Sequence, residues 1–500
     1  MSGKSPHNRG IMRFPPQHCH GMWTMGIGCA QVPSVQLAGC LLGQMHGHVE
    51  GQALQMENNT ALPQATLTDT AAFLLDVFLP NLAKGPIIRR PRAVALAQRL
   101  GLDDRAIRRM TKLDRKYPQG PLLLRLPGRN QALILKPGDL HQVLHHSPEP
   151  FSPASSEKRA ALAHFEPRNV LISAGPERTV RRALQEQALD TNSPVHRLAG
   201  SFLPVVRQEA DLLLERMDAQ KELTWEDFTA AWHWVVRRVV FGDTARDDHE
   251  ITDLLARLRK DANWSFLKPQ RRELRDRFLH RVQVRMQTAE PGSLASAMAA
   301  MEPGSPTAPV DQIPQWLFAF DPAGMATFRT LALLATHDEQ SAQAGREVRQ
   351  DTSDRQHLPY LRACVLESLR LWPTTPMILR QTTRPVHWDT GSMPAGCAVL
   401  IFAPYFHRDT RHLPHAHSFQ PQTWLTEGTG DTGWPRVPFS EGPAACPGRQ
   451  LVLMLTSAMI ARLIEKRRFS LASAHPMVPG QKLPGTLNHF TLRFTAEPAA

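Results

Sequence analysis

The stretch Phe439-Ser440-Glu441-Gly442-Pro443-Ala444-Ala445-Cys446-Pro447-Gly448 runs directly into the longest nearly unbroken apolar segment of the chain, Leu451–Ile464. Glycines on both sides of a lone cysteine let the backbone approach something flat. A thiolate just ahead of a helix is favoured by the macrodipole, which makes Cys446 a candidate metal ligand. The same residues also read as a buried core cysteine, because free cysteine is among the most buried residue types. The stretch alone leaves both readings open.

Two features upstream bear on that choice. Glu367-Ser368-Leu369-Arg370 falls in a predicted helix over Leu358–Leu371, where residues three apart share a face and can pair. On its own such a pair is normally a solvated one. Ala323-Gly324-Met325-Ala326-Thr327 falls in a long predicted helix over 313–337, just after Pro322. Gly and Pro inside an apolar helix cost stability and point to a kink or a close ligand. The Thr327 hydroxyl then either serves that ligand or bonds back to its own turn.

In order, F-x-x-G-x-x-x-C-x-G, E-x-x-R and A-G-x-x-T make the chain resemble the cytochrome P450 family, soluble bacterial type, from about residue 76 onward. His407-Arg408-Asp409 and Phe419-Gln420-Pro421-Gln422-Thr423-Trp424 add to the resemblance. It implies a mainly α fold with a small β portion, in one large domain. It also implies haem b (iron protoporphyrin IX) ligated by Cys446, in a loop shaped by Phe439, Gly442 and Gly448. A thiolate ligand pushes electron density onto iron and favours O–O cleavage. Glu367 and Arg370 would be structural. Ala323 and Gly324 would leave room over the haem and Thr327 would help deliver protons. Arg182 and Arg380 would hold the propionates, which need cations when buried.

The chain departs from the family pattern in several places. Arg178 stands where the family has Trp, and Ala444 where a propionate partner is common. Thr423 replaces the third member of the Glu367–Arg370 triad, and Ala326 replaces the acid before the Thr. Pro447 removes the amide that would follow the ligand, which should leave the thiolate more electron-rich.

The activity so implied is a monooxygenase inserting one atom of O2 into a small apolar substrate, in the cytoplasm. Its electrons would come from a ferredoxin or flavodoxin with its reductase. Arg449, Lys466, Arg467 and Arg468 suit an acidic partner, or are ordinary solvated charges. Ala326 feeds an alternative, a peroxygenase or a haem-thiolate isomerase or dehydratase. The departures together feed another, a non-catalytic haem-binding protein. The loop Ser147–Ser173, with Phe151, Phe165 and Leu171, is expected over the haem.

Composition excludes much else. The 500 residues are 42% hydrophobic and 21% charged, enough for a sizeable core. The charge, 58 basic less 46 acidic side chains or +12, is spread along the chain, so nucleic acid has little support. Six cysteines (19, 29, 40, 364, 397, 446) form no CxxC pair, which leaves a zinc knuckle or iron–sulfur cluster without ligands. They are also too sparse for a disulfide framework. No phosphate-binding glycine loop occurs, and no apolar run is long enough for a membrane anchor.

Residues 1–55 hold three cysteines and five histidines without periodicity. A disordered leader is expected there, over a metal-binding arm around His18, Cys19 and His20. An amphipathic lead-in follows over 56–91, and the haem domain over 92–500. Within it a hairpin is predicted from Leu122–Leu126 and Ala132–Leu135, helices over 177–189, 224–241, 250–260 and 270–288, and terminal strands near 469–495.

Overall fold

Strands Leu122–Leu126 (β1) and Arg129–Ile134 (β2) pair antiparallel with Leu126 opposite Arg129. The turn is therefore only Pro127-Gly128, and Gly128 adopts a positive φ of 65° that a side chain would resist. Phe151–Ser152 (β3), Met377–Thr382 (β4) and Ala398–Phe402 (β5) complete a five-stranded sheet of order β1-β2-β5-β4-β3. The β2–β5 pair is parallel and every residue of β5 is buried, which explains its unbroken apolar sequence.

The computed structural model describes residues 62–301, 304–426, 433–474, 477–478 and 480–499. All belong to one compact unit, Asn58–Ala500. The disordered leader and the metal-binding arm expected in residues 1–55 lie outside the described residues. Within the 56–91 segment, Leu62, Ala65, Phe73 and Val77 are buried in the apolar cluster around the sheet. Gln64 bridges Leu123, so this segment packs as part of the sheet core.

Helices dominate the rest. The nine that matter for the site are Pro137–His145 (α1), Ser156–Leu162 (α2), Gly175–Ala188 (α3), Ala199–Gln220 (α4), Trp225–Phe241 (α5), His249–Ala262 (α6), Pro309–Leu334 (α7), Pro359–Leu371 (α8) and Arg449–Lys466 (α9). Their starts are written locally. Ser155 caps α2, Thr224 and Asp227 form a capping box on α5, and prolines open α1, α7 and α8. Helices α4, α5, α7 and α9 pack on one another, with α8 against α7 and α9. Their apolar faces build the second, larger core. Among the described residues no helix is long and apolar enough to cross a membrane.

Candidate active site

The Cys446 loop is closed by its own backbone. The Cys446 amide donates to the Phe439 carbonyl at 2.9 Å, and the Ala445 amide to the Gly442 carbonyl at 2.9 Å. Gly442 has φ +69°, and a Cβ there would sit 2.4 Å from the Leu144 carbonyl oxygen of α1. Both facts demand glycine. Gly448 differs: a Cβ there would make only an ordinary contact with Leu189 at 3.8 Å. Phe439 is half-buried against the helical core. Burial pushes the Cys446 thiol up, against the Gly448 amide and the charges of Arg182 and Arg449, which pull it down. Pro447 has no amide to offer the sulfur, so Gly448 supplies the nearby backbone donor.

Glu367 and Arg370 are fully buried on α8 rather than solvated. Two guanidinium nitrogens meet the two carboxylate oxygens at 2.7 Å each. The Trp424 indole and the Gln420 amide fill the remaining acceptor sites at 2.8 and 3.0 Å. Burial alone would raise the Glu367 carboxyl, but the Arg370 guanidinium outweighs it and holds the pKa below the usual range. Arg370 also donates to the carbonyls of His407, His415, Ala416 and Ser418. It thereby gathers the irregular 407–418 stretch onto α8. The vacancy expected at Thr423 is filled by Trp424, whose ring carries Arg436 at 4.5 Å.

Helix α7 decides the other wall. From Asp311 to Leu334 only Gln315, Phe318, Ala319, Asp321 and Pro322 are not buried. Gln315, Phe318, Ala319 and Pro322 fall at i, i+3, i+4 and i+7, one helical face, with Asp321 at its margin. The expected residues lie elsewhere. A Cβ on Gly324 would strike Trp232 of α5 at 2.8 Å, so Gly324 admits a packed indole. Thr327 is wholly buried and its hydroxyl donates to the Ala323 carbonyl at 2.9 Å. Ala323, Gly324 and Thr327 are thus buried where α5 and α7 pack, and the half-open face of α7 is the one ending at Pro322.

Asp321 was missed in the sequence, although the Asp-Pro pair breaking an apolar helix is a readable signal. Its oxygens meet His233 of α5 at 3.1 Å and Arg259 of α6. Burial would raise this carboxyl; Arg259, and then His233, override that and hold it low. Pro322 has no N–H for the Phe318 carbonyl one turn back, leaving an acceptor on the same face. The loop expected over the site does meet this helix. Phe165 stands edge-on to Phe318 at 5.6 Å, and the Gln315 amide, nitrogen inward, donates to both Glu166 oxygens at 3.1 and 2.8 Å. Burial holds the Glu166 carboxyl well above its usual pKa. Phe151, by contrast, is a strand residue in the sheet core.

Three cations from three elements converge as well: Lys158 of α2, Arg178 of α3 and Arg380 of β4. Burial, then Arg380 and Arg178, push Lys158 down to about 7. Arg178 and Arg380 are each lowered to about 10, by burial first, then by Arg182 for the one and Arg178 for the other. They donate to hydroxyls and carbonyls: Ser147, Ser440, Val170 and Leu379. Among the described residues no carboxylate pairs with any of the three. Arg182 is engaged otherwise, with Glu186 at 2.6 Å and the Ala445 carbonyl at 2.8 Å. It braces the Cys446 loop.

A family model described as cytochrome P450 matches residues 320–491. The curated cytochrome P450 monooxygenase FCK2 of Fusarium pseudograminearum is 37% identical over 139 residues, 27% of this chain and 25% of its own length. Cytochrome P450 4c3 of Drosophila melanogaster is 29% identical over 157 residues, 29% of each. The matched part thus spans about a quarter of the length of these curated relatives. A solved structure, retinoic acid bound cyanobacterial CYP120A1, superposes with a TM-score of 0.63 at 18% identity, covering 78% of this chain and 93% of that one. Residues 320–491 match the cytochrome P450 family, and the fold is that of a cytochrome P450.

The cytochrome P450 prosthetic group is a haem, and the residues present fit one. A dianionic edge is what two buried arginines and a half-buried lysine without a carboxylate call for, and a cysteine loop opening α9 supplies the thiolate. Lys158 and Arg178 join Arg380 as the cationic set, two residues the sequence motifs did not point to as a pair. The docking expectation narrows. Helix α9 separates Arg449 from Lys466 by about 25 Å at 1.5 Å per residue, and Arg467 is paired with Asp218. Of the four basic residues only Arg449 lies by Cys446.

Proposed function

We propose that this chain is a haem-thiolate monooxygenase that inserts one oxygen atom of O2 into a small, largely apolar substrate. Haem b on Cys446 would supply the oxygen-activating chemistry when bound, with electrons from a separate ferredoxin or flavodoxin in the cytoplasm. The observation that carries the reading is the half-open face of α7, which bears an acid beside a broken helical hydrogen bond. Phe318, Ala319 and Pro322 give that face an apolar surface that excludes water and suits an apolar guest. Asp321, held ionised, is an acceptor for protons in transit, and His233 with Arg259 fixes where its oxygens point. The Phe318 carbonyl offers a second acceptor one turn away. Lys158, Arg178 and Arg380 anchor the carboxylate edge of the haem, and Glu367–Arg370 holds the 407–424 stretch in place.

Ala326 replaces the acid that the family places before the threonine, and Asp321 lies five residues before it on the same helix. With Asp321 standing in for that acid, the monooxygenase reading is preferred to the peroxygenase one. The test pairs two variants in a reconstituted assay with O2 and a reductase. Asp321→Asn should cut product formation about tenfold or more, while Thr327→Ala should change it less than about twofold. The reverse order would overturn the assignment. Cys446→Ala should abolish the red-shifted Soret band of the reduced carbon monoxide complex; retention of that band would overturn the haem-thiolate reading itself.

A further inference from the structure

We propose that His141, His145 and Glu441 form a binding site for a divalent transition-metal ion of the zinc class. The two histidines are four apart on α1 and share one face. Glu441 comes from the Cys446 loop. His141 Nδ1 lies 3.1 Å and His145 Nε2 2.6 Å from the same carboxylate oxygen, Oε1. One ligand atom from each residue falls within 4.8 Å of the others. Tetrahedral zinc, with bonds of about 2.0–2.2 Å, sets its ligands about 3.3 Å apart. To admit it His141 and Glu441 need to part by about 0.2 Å and His145 and Glu441 by about 0.7 Å.

Hydrogen-bond chemistry also favours a cation here. The other ring nitrogen of His141, Nε2, faces the Gly433 carbonyl at 3.4 Å. A carbonyl only accepts, so that nitrogen carries the proton, and a neutral His141 then turns a lone pair on Nδ1 toward a carboxylate oxygen. Two acceptors at that distance repel unless a proton or a metal ion stands between them. Anchoring the far ring nitrogen on a backbone carbonyl is the usual outer support of a ligating imidazole. The side chains keep 19%, 37% and 19% of their surface, so an ion has a way in and the ligands are still held. Three protein ligands with an open fourth position match the open form of a zinc site.

The ion would tie α1 to the loop that ends in Cys446, beside the tight contact of Gly442 with Leu144. This site is independent of the activity proposed above. The test titrates the full chain, stripped with a chelator, with zinc chloride by calorimetry near neutral pH. The chain has 22 histidines, so the readout is a difference between variants. Wild type should bind one equivalent more than His141→Ala/His145→Ala, and Glu441→Gln should weaken that equivalent about tenfold or more. Equal stoichiometry and affinity in all three would show a surface ion pair only and overturn the proposal. Circular dichroism checks that the variants fold. Zinc-soaked wild-type crystals give a second reading that needs no variant. Anomalous density should lie among His141, His145 and Glu441, and its absence would equally overturn the site.

Discussion

Replacing Lys158 with methionine should remove a pH dependence from the stability of the haem-free protein. Folded Lys158 titrates near 7 against its ordinary 10.5, because burial and then the Arg380 and Arg178 charges disfavour its proton. Between those two values the unfolded chain binds the proton and the folded chain does not. Stability therefore rises with pH through that window, and below about 7 the full penalty is present. Each pH unit is worth about 1.4 kcal/mol, so raising the pH from about 7 to about 9 should stabilise the wild type by about 2.7 kcal/mol more than Lys158→Met. Urea unfolding of both proteins across that range measures the difference, since other titrating groups are common to the two. In the haem-loaded protein the propionates supply the missing negative charge, and the difference should shrink toward zero. Parallel curves for the two haem-free proteins would refute the idea that these cations are held together without an anion.

Three further outcomes follow from particular contacts. Glu367→Gln leaves the Arg370 charge buried without its partner and should cost about 3–5 kcal/mol, read as a lower urea midpoint; a change below about 1 kcal/mol would contradict the burial argument. Gly442→Ala drives a methyl group into the Leu144 carbonyl at a positive φ, so haem retention after gel filtration should fall and the melting temperature with it. Pro447→Ala restores an amide beside the sulfur and should shift the haem reduction potential upward; an unchanged potential would show that this amide does not reach the thiolate.

The Cys446 loop and the α8 pair were legible in the sequence because each is local. Eight residues closed by one backbone bond, or two side chains three apart, carry their geometry with them. The hairpin and the long helices were legible for the same reason, and their predicted ends fall within a few residues of the observed ones. The half-open face of α7 was not. The run from Pro322 to Thr327 offers small residues and a hydroxyl at a suggestive spacing, but which face of a buried helix stays open depends on what packs against it. Trp232, from a helix some ninety residues earlier, closes the Gly324 side. The cation cluster was half visible. Arg380 and Arg182 match motifs, whereas Lys158 lies in a short helix with no signature and meets Arg380 only through the fold. Arg182 has the right residue type, yet Glu186 one turn along claims it.

Pro322 gives the wall of the site a fixed character. A threonine at such a place can trade its hydroxyl between its own turn and a guest, so the opening beside it is a state that comes and goes. A prolyl ring has no amide to regain, and the unbonded Phe318 carbonyl is a permanent fixture of α7. What can open and shut is the contact between Asp321 and Arg259, because Arg259 rides on another helix, α6. Under the function proposed above, the rhythm of proton supply would pass from a hydroxyl rotor to the position of a whole helix.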